Sequence, residues 1–386
     1  MKIVTFEVEK KRKLGILNAD GQWVYPLECF GMEYRRMEEA IEELSESEIQ
    51  LLNHMAGKDP YTVQGAARIG EVKILAPILR PKQDVICLGV NYMAHAEESA
   101  RYKKEDFDGE RPHAVYFSKR VNGATGDKEG IPRHGDIVKR LDYEVELAVI
   151  IGKDASHVSR EEAKHYIFGY TIINDVSARD IQDRHNQWYF GKSLDGFFPM
   201  GPCIVTFDEI AYPPKLSIRS FVNGELRQDS NTECLIFDID HIISELSKGM
   251  TLKAGTIIAT GTPAGAGLGF DPPKFLKTGD EVVCEIEGIG KLTNRVVEDK
   301  ENRTITLFAV NKDLEEDIQA DMDIRQYEGY EVVENLVLTH TDLKAENTKE
   351  EPDKVVPVSG KNAKVEAGCL KAVLPARSWN VIVLKG

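Results

Sequence analysis

Two glutamates stand two residues apart in an apolar run, LDYEVELAVIIGK. In an extended strand, residues i and i+2 project from the same face, so Glu144 and Glu146 are neighbours. Adjacent carboxylates raise each other's pKa unless a cation lies between them. A hard divalent ion such as Mg²⁺ resolves that conflict, taking carboxylate oxygens and keeping water or substrate at its other positions. A solvated strand face is the commoner use of a lone pair of this kind. The segment YIFGYTIIND changes the balance, because its nearly continuous apolar run ends at Asn174 and Asp175. Asp175 emerges where a buried strand stops and becomes a third ligand if the two strand ends converge. Asp180 and Asp183 downstream read as ordinary polar residues of a loop or helix start.

Upstream, CLGVNYMAHAEES follows an apolar strand with a Gly–Val–Asn turn and sets His95 and Glu98 three residues apart. On a helical turn both reach one side, where a carboxylate can orient the imidazole and stabilise its charged form. An exposed helix pair has the same spacing. Lys192, in WYFGKSLDGFFPMGP, lies among aromatic residues and glycines. An ammonium there either reaches water or needs an anion, such as a substrate carboxylate or a developing enolate. IIATGTPAGAGLGF reads as a strand and a Gly-rich loop able to bring backbone N–H groups and the Thr262 hydroxyl to an anionic ligand. It lacks the GK[ST] ending of a phosphate loop, which argues against a nucleotide.

The elements that must position these groups fall into four stretches. Residues 1–75 read as short strands (KIVTFEV, KLGILN, QWVYP) followed by an acidic helix, RRMEEAIEELSESEIQLLNHM, forming a small N-terminal α+β lobe. Residues 76–299 alternate strand runs with Gly/Pro turns. Two helices are evident there: SREEAKHYI, opened by Ser159 with Glu162 three residues on, and DIDHIISELSKGM. Many strands with few crossover helices predict a mainly β, mostly antiparallel α+β architecture and not a doubly wound sheet. Residues 300–386 read as further strands, interrupted by the charged, linker-like TDLKAENTKEEPDK.

The 386 residues are 42% hydrophobic and 29% charged, with a net charge of −15. Such an acidic chain repels a phosphate backbone and is not drawn to anionic lipid, so neither nucleic acid nor membrane is an expected partner. No apolar run approaches the ~20 residues of a membrane span, and the start of the chain alternates like a strand, which predicts a cytoplasmic protein. Six scattered cysteines without metal spacing are expected to be buried free thiols.

Five segments, GVNYMAHAEE, DYEVELAVIIGK, NDVSARDIQ, GKSLDGFFPMGP and IIATGTPAGAG, in this order over about residues 70–298, resemble the fumarylacetoacetate hydrolase family. The resemblance implies a mixed β-sandwich roll and a homodimer. It implies Mg²⁺, with Mn²⁺ or Ca²⁺ as alternatives, at Glu144, Glu146 and Asp175, a His95–Glu98 dyad, and substrate contacts from Lys192 and Thr262. Gln182 matches a position that in some members helps to choose between hydrolysis and decarboxylation. The implied substrates are short 2-oxo or 1,3-dicarbonyl acids, as in aromatic catabolism. The first expectation is hydrolysis of a C–C bond in an acylpyruvate or diketo acid, in which His95, oriented by Glu98, activates water and Lys192 stabilises the enolate formed. An isomerase of the 2-hydroxyhepta-2,4-diene-1,7-dioate type, a decarboxylase or a dehydratase would use the same groups. YFSKRVNGATGDKEGIPRHGD, more basic than usual, and Ala266 in place of a common Val depart from the family pattern.

From about Glu301, the chain is similar to the C-terminal β-sandwich segment of intracellular α-L-arabinofuranosidases, without the barrel and its two glycosidase carboxylates. That stretch is expected to form a partial β-sandwich with no catalytic residues.

Overall fold

The computed structural model describes residues 1–298, 304–325, 327 and 329–385. They form two compact units, Met1–Glu298 and a second unit beginning at Asp299. The boundary expected near residue 300 falls at residues outside those described.

The first unit is built on an eleven-stranded sheet in which Ile167–Asn174, Val145–Ile151, Ile257–Ala259 and Val85–Gly89 are successive neighbours. Pairing is antiparallel except between Ile257–Ala259 and Val85–Gly89. A five-stranded sheet, with Ser217–Val222 and Glu281–Ile286 at its centre, packs beside it. This mainly β arrangement with few helices is the expected class. Residues 1–75, read as a separate lobe, share the large sheet: Lys2–Val8 pairs with Met200–Thr206 in the register Lys2↔Val205.

Both central strands are buried along their whole length. Leu147, Val149 and Ile151 pack with Tyr170, Ile172 and Cys284 on one face, while Ala148 and Ile150 pack with Ile3, Ile16, Tyr25 and Leu52 on the other. Glu144 and Glu146 extend the even-numbered face, so their carboxylates lie where a fully packed layer ends.

Some local expectations differ. The acidic helix is two helices, Met37–Glu43 and Glu46–Ala56. Ser45 breaks it by accepting the Glu48 N–H while Glu48 accepts the Ser45 N–H, a capping box that starts a new helix. SREEAKHYI yields only a 3₁₀ turn, Ala163–Tyr166, because the strand beginning at Ile167 claims the residues a longer helix would need. DIDHIISELSKGM does fold as a helix, Ile239–Ser247, capped by Asp238. All six cysteines are free, but only Cys87, Cys203 and Cys284 are buried; Cys29 and Cys234 are exposed and Cys369 is half-buried.

The second unit contains a four-stranded and a three-stranded sheet around a small core of Ile324, Leu370, Ala372, Leu374, Ile382 and Leu384. TDLKAENTKEEPDK is irregular, as its composition predicts.

Candidate active site

Strands Val145–Ile151 and Ile167–Asn174 pair antiparallel with Val145 opposite Asn174. That register brings Glu144 alongside Asp175, whose N–H donates to the Glu144 carbonyl at 2.8 Å. The Glu144 N–H donates in turn to Asn174 Oδ1 at 2.9 Å. One oxygen from each of Glu144, Glu146 and Asp175 lies within 4.8 Å of the others. All three side chains are buried, and no other trio of this kind occurs among the described residues. The convergence that the sequence left open is therefore created by strand register.

Each carboxylate also has one oxygen held by a fixed donor. Arg179 donates from Nη2 to Glu144 Oε1, the Gly261 N–H donates to Glu146 Oε2 at 2.8 Å, and Lys119 Nζ donates to Asp175 Oδ1 at 2.6 Å. Lys192 Nζ reaches the opposite oxygens, donating to Glu144 Oε2 at 2.7 Å and to Asp175 Oδ2. Its ammonium lies over the Phe117 ring, 5.1 Å from the centroid.

Burial alone would raise the Glu144 carboxyl, but the Arg179 guanidinium and the Lys192 ammonium outweigh it and hold the group well below the ordinary carboxylate range. Glu146 goes the other way: burial, then the charges of Asp175 and Glu144, push it well above that range. Lys192 is raised despite its burial, because Asp175 and Glu144 stabilise its charge. Glu146 makes no ion pair among the described residues. A buried, oxygen-only trio that includes one uncompensated carboxylate fits a hard divalent cation.

His95 and Glu98 lie on the helix Met93–Lys103, are 6% and 5% exposed, and are joined by a 2.9 Å contact between His95 Nδ1 and Glu98 Oε2. The other Glu98 oxygen accepts the Gly265 N–H at 2.9 Å. A Cβ at Gly269 would lie 1.7 Å from that oxygen, so only glycine lets the loop approach the dyad. His95, Glu144, Glu146, Gln182, Lys192 and Thr262 all line one cavity of about 660 Å³. All the proposed site residues but Glu98 and Asp175 thus open on a single space, and those two contact residues that line it, Glu98 through His95 and Asp175 through Lys192.

Two details bear on the anion contacts expected of the loop and of Thr262. Four N–H groups of the Gly-rich loop are taken by side chains of the protein: Gly261 donates to Glu146, Gly265 to Glu98, and Gly267 and Leu268 to Asp142. The Thr262 hydroxyl donates to the Val145 carbonyl at 2.8 Å and accepts from Gln228 Nε2 at 2.7 Å, so its one hydrogen is already engaged. Gln182 is better placed to donate. It lies on the helix Arg179–His185, is 6% exposed, and its Nε2 finds no partner among the described residues.

Sequence reasoning passed over Asp142, Arg179 and Lys119. Asp142 is fully buried and accepts from Arg179 Nε as well as from the loop N–H groups, tying the Gly-rich loop to the guanidinium that holds Glu144. Period-2 alternation from Glu144 and Glu146 back to Asp142 was available as a signal. Lys119 ends the strand Val115–Lys119, and nothing local marks it.

Residues 84–297 match the family described as fumarylacetoacetate (FAA) hydrolase C-terminal. The chain is 46% identical over 229 residues to an oxaloacetate tautomerase, YisK, of Bacillus subtilis, covering 59% of this chain and 74% of that protein. An uncharacterized protein of Staphylococcus epidermidis is 38% identical over 306 residues, covering 77% of this chain and 99% of the relative. Among solved structures, a fumarylacetoacetate hydrolase from Exiguobacterium antarcticum aligns with a TM-score of 0.65 at 40% identity, covering 77% of this chain and 99% of its own. A 2-hydroxyhepta-2,4-diene-1,7-dioate isomerase from Mycobacterium marinum aligns with a TM-score of 0.59 at 29% identity, covering 78% and 100%. With its fold, the clustering of its carboxylates and these matches in agreement, the chain belongs to the fumarylacetoacetate hydrolase family.

Proposed function

We propose that this chain is an Mg²⁺-dependent enzyme that interconverts the keto and enol forms of a short 2-oxo acid, with oxaloacetate as the representative substrate. The observation that carries the reading is that His95, backed by the buried Glu98, lines the same cavity as Glu144 and Glu146 of the carboxylate trio. Glu144, Glu146 and Asp175 would hold the ion, which when bound polarises the 2-oxo group and acidifies the adjacent C–H. Mn²⁺ is the nearest substitute. With Nδ1 engaged by Glu98, His95 has Nε2 left to take the C3 proton and return it to the enol oxygen. Glu98 stabilises the imidazolium between the two transfers. Lys192 places positive charge beside the developing enolate, and the unpartnered Gln182 Nε2 offers a donor to the substrate. Arg140, Lys103 and Lys104 also line the cavity and favour an anion.

The tautomerase reading is preferred to C–C hydrolysis because the chain is similar to a protein named as an oxaloacetate tautomerase and to a named isomerase. Hydrolysis of an acylpyruvate remains the second reading, since a histidine backed by a buried carboxylate also suits proton removal from water. The test is a panel of oxaloacetate, an acylpyruvate and a 2-hydroxydienoate, followed by loss of enol absorbance with Mg²⁺ or Mn²⁺ present. Faster keto–enol interconversion supports the proposal. Acylpyruvate cleavage without it would replace this reading by the hydrolytic one. The same proposal includes a homodimer in the cytoplasm and a C-terminal segment, arabinofuranosidase-like in sequence, that takes no part in catalysis. No helix among the described residues is long and apolar enough to cross a membrane.

A further inference from the structure

The two lysines at the carboxylate trio are not equivalent. Lys192 lines the cavity and contacts Glu144 Oε2 and Asp175 Oδ2. Lys119 lies outside the cavity lining and is 0% exposed. Its Nζ donates to Asp175 Oδ1 at 2.6 Å and to the Val176 carbonyl at 3.0 Å. A buried ammonium is costly to desolvate, and Lys192 already compensates the other oxygen of Asp175. Lys192 shares its charge between Asp175 and Glu144, so Lys119 adds to the compensation of Asp175, but compensation alone does not decide which oxygen Lys119 occupies.

Lys119 occupies one particular oxygen of Asp175. Arg179 does the same at Glu144 and the Gly261 N–H at Glu146, so the second oxygen of each carboxylate meets either the cavity-lining Lys192, at Glu144 and Asp175, or no donor among the described residues, at Glu146. Three single oxygens leave half of an octahedron for water and substrate, which suits Mg²⁺. Ca²⁺ takes six to eight oxygens and readily uses both oxygens of one carboxylate. We propose that Lys119 is a positioning residue for ion selectivity: by holding Asp175 Oδ1 it denies the site a two-oxygen carboxylate and so favours Mg²⁺ over Ca²⁺. This rests on the metal reading above and adds to it the residue that chooses the ion.

The test is isothermal titration calorimetry of Mg²⁺ and Ca²⁺ on metal-stripped, full-length wild type, Lys119→Met and Lys119→Gln, with thermal melts to verify folding. Partners behind a ligand change metal affinity by about 10–100-fold. Lys119→Met is expected to lower the ratio of the Ca²⁺ to the Mg²⁺ dissociation constant by about tenfold or more. Lys119→Gln, which retains an N–H donor on a shorter stem, should fall between wild type and Lys119→Met. If the Met variant does not fold, the Gln variant decides the matter by the same ratio. A purely structural lysine would weaken both ions alike, so an unchanged ratio in a folded variant overturns the inference and leaves the metal site standing. A wild type that binds neither ion overturns the metal reading and this inference together.

Discussion

Replacing Asp142 with Asn keeps the size of the side chain and removes its charge at the point where the Gly-rich loop, Arg179 and Glu144 are joined. The carboxylate is 0% exposed. Oδ1 accepts from Tyr143 N at 2.9 Å and Gly267 N at 2.7 Å, and Oδ2 accepts from Leu268 N at 3.0 Å and Arg179 Nε at 2.9 Å. An asparagine can serve the first pair only by pointing its NH₂ at the second, leaving two buried donors opposed at about 1–3 kcal/mol each. Breaking a buried ion pair costs about 3–5 kcal/mol. The two figures overlap at Arg179, which also keeps Glu144 as a partner, so about 4 kcal/mol is expected in all. The first unit spans Met1–Glu298. At about 2 cal/mol/K per residue its unfolding entropy is about 0.6 kcal/mol/K, and Tm should fall by roughly 6 °C. Circular dichroism melts in metal-free buffer measure this. Asp183→Asn is the control, because its pair with Arg140 is 34% and 44% exposed and should contribute less than about 1 kcal/mol. An Asp142→Asn shift within about 2 °C of wild type would refute the reasoning.

Glu146→Ala should abolish Mg²⁺- and Mn²⁺-supported turnover and weaken ion binding by calorimetry; full metal-supported activity in that variant would remove Glu146 from the ligand set. His95→Asn should lower kcat by about 10²–10⁴ with little change in KM, as expected for loss of a general base, and Glu98→Gln should follow it in the same direction. Steady-state kinetics in which KM rises and kcat stays constant would reassign the dyad to binding. Truncation after Glu298 should leave kcat and metal dependence unchanged, since every proposed site residue lies in the first unit and the S. epidermidis relative is matched almost end to end by 77% of this chain. A truncated protein that folds and binds metal but loses turnover would show that the tail supplies part of the site.

The site was legible where its parts are local. Alternation put Glu144 and Glu146 on one face, and a three-residue step put His95 and Glu98 on one side of a helix; both spacings follow from backbone geometry that neighbours alone dictate. The failures were also local competitions settled by other forces. Ser45 ended a helix that apolar spacing would have continued, and strand pairing from Ile167 displaced the helix expected across SREEAKHYI. The Gly-rich loop was recognised as a source of N–H donors, but four of them go to side chains far away in sequence, Glu98, Asp142 and Glu146, which local spacing does not reveal. No pattern around Lys119 signals that it ends at Asp175, 56 positions further along the chain.

By itself, the amino-acid order determined the kind of chemistry available: three carboxylates at the ends of apolar strands, a histidine with an acid one helical turn away, and an acidic chain rich in short strands. Those are properties of residue type and spacing, and they survive whatever the rest of the chain does. The tertiary structure alone decided that the carboxylates meet, through a register in which Val145 faces Asn174, and which of their oxygens are already held. Register, and the burial of Lys119, Arg179 and Asp142 behind the site, arise from pairings between distant segments. Their free energy depends on the packing of both faces of the sheet at once, and no stretch of local sequence encodes it.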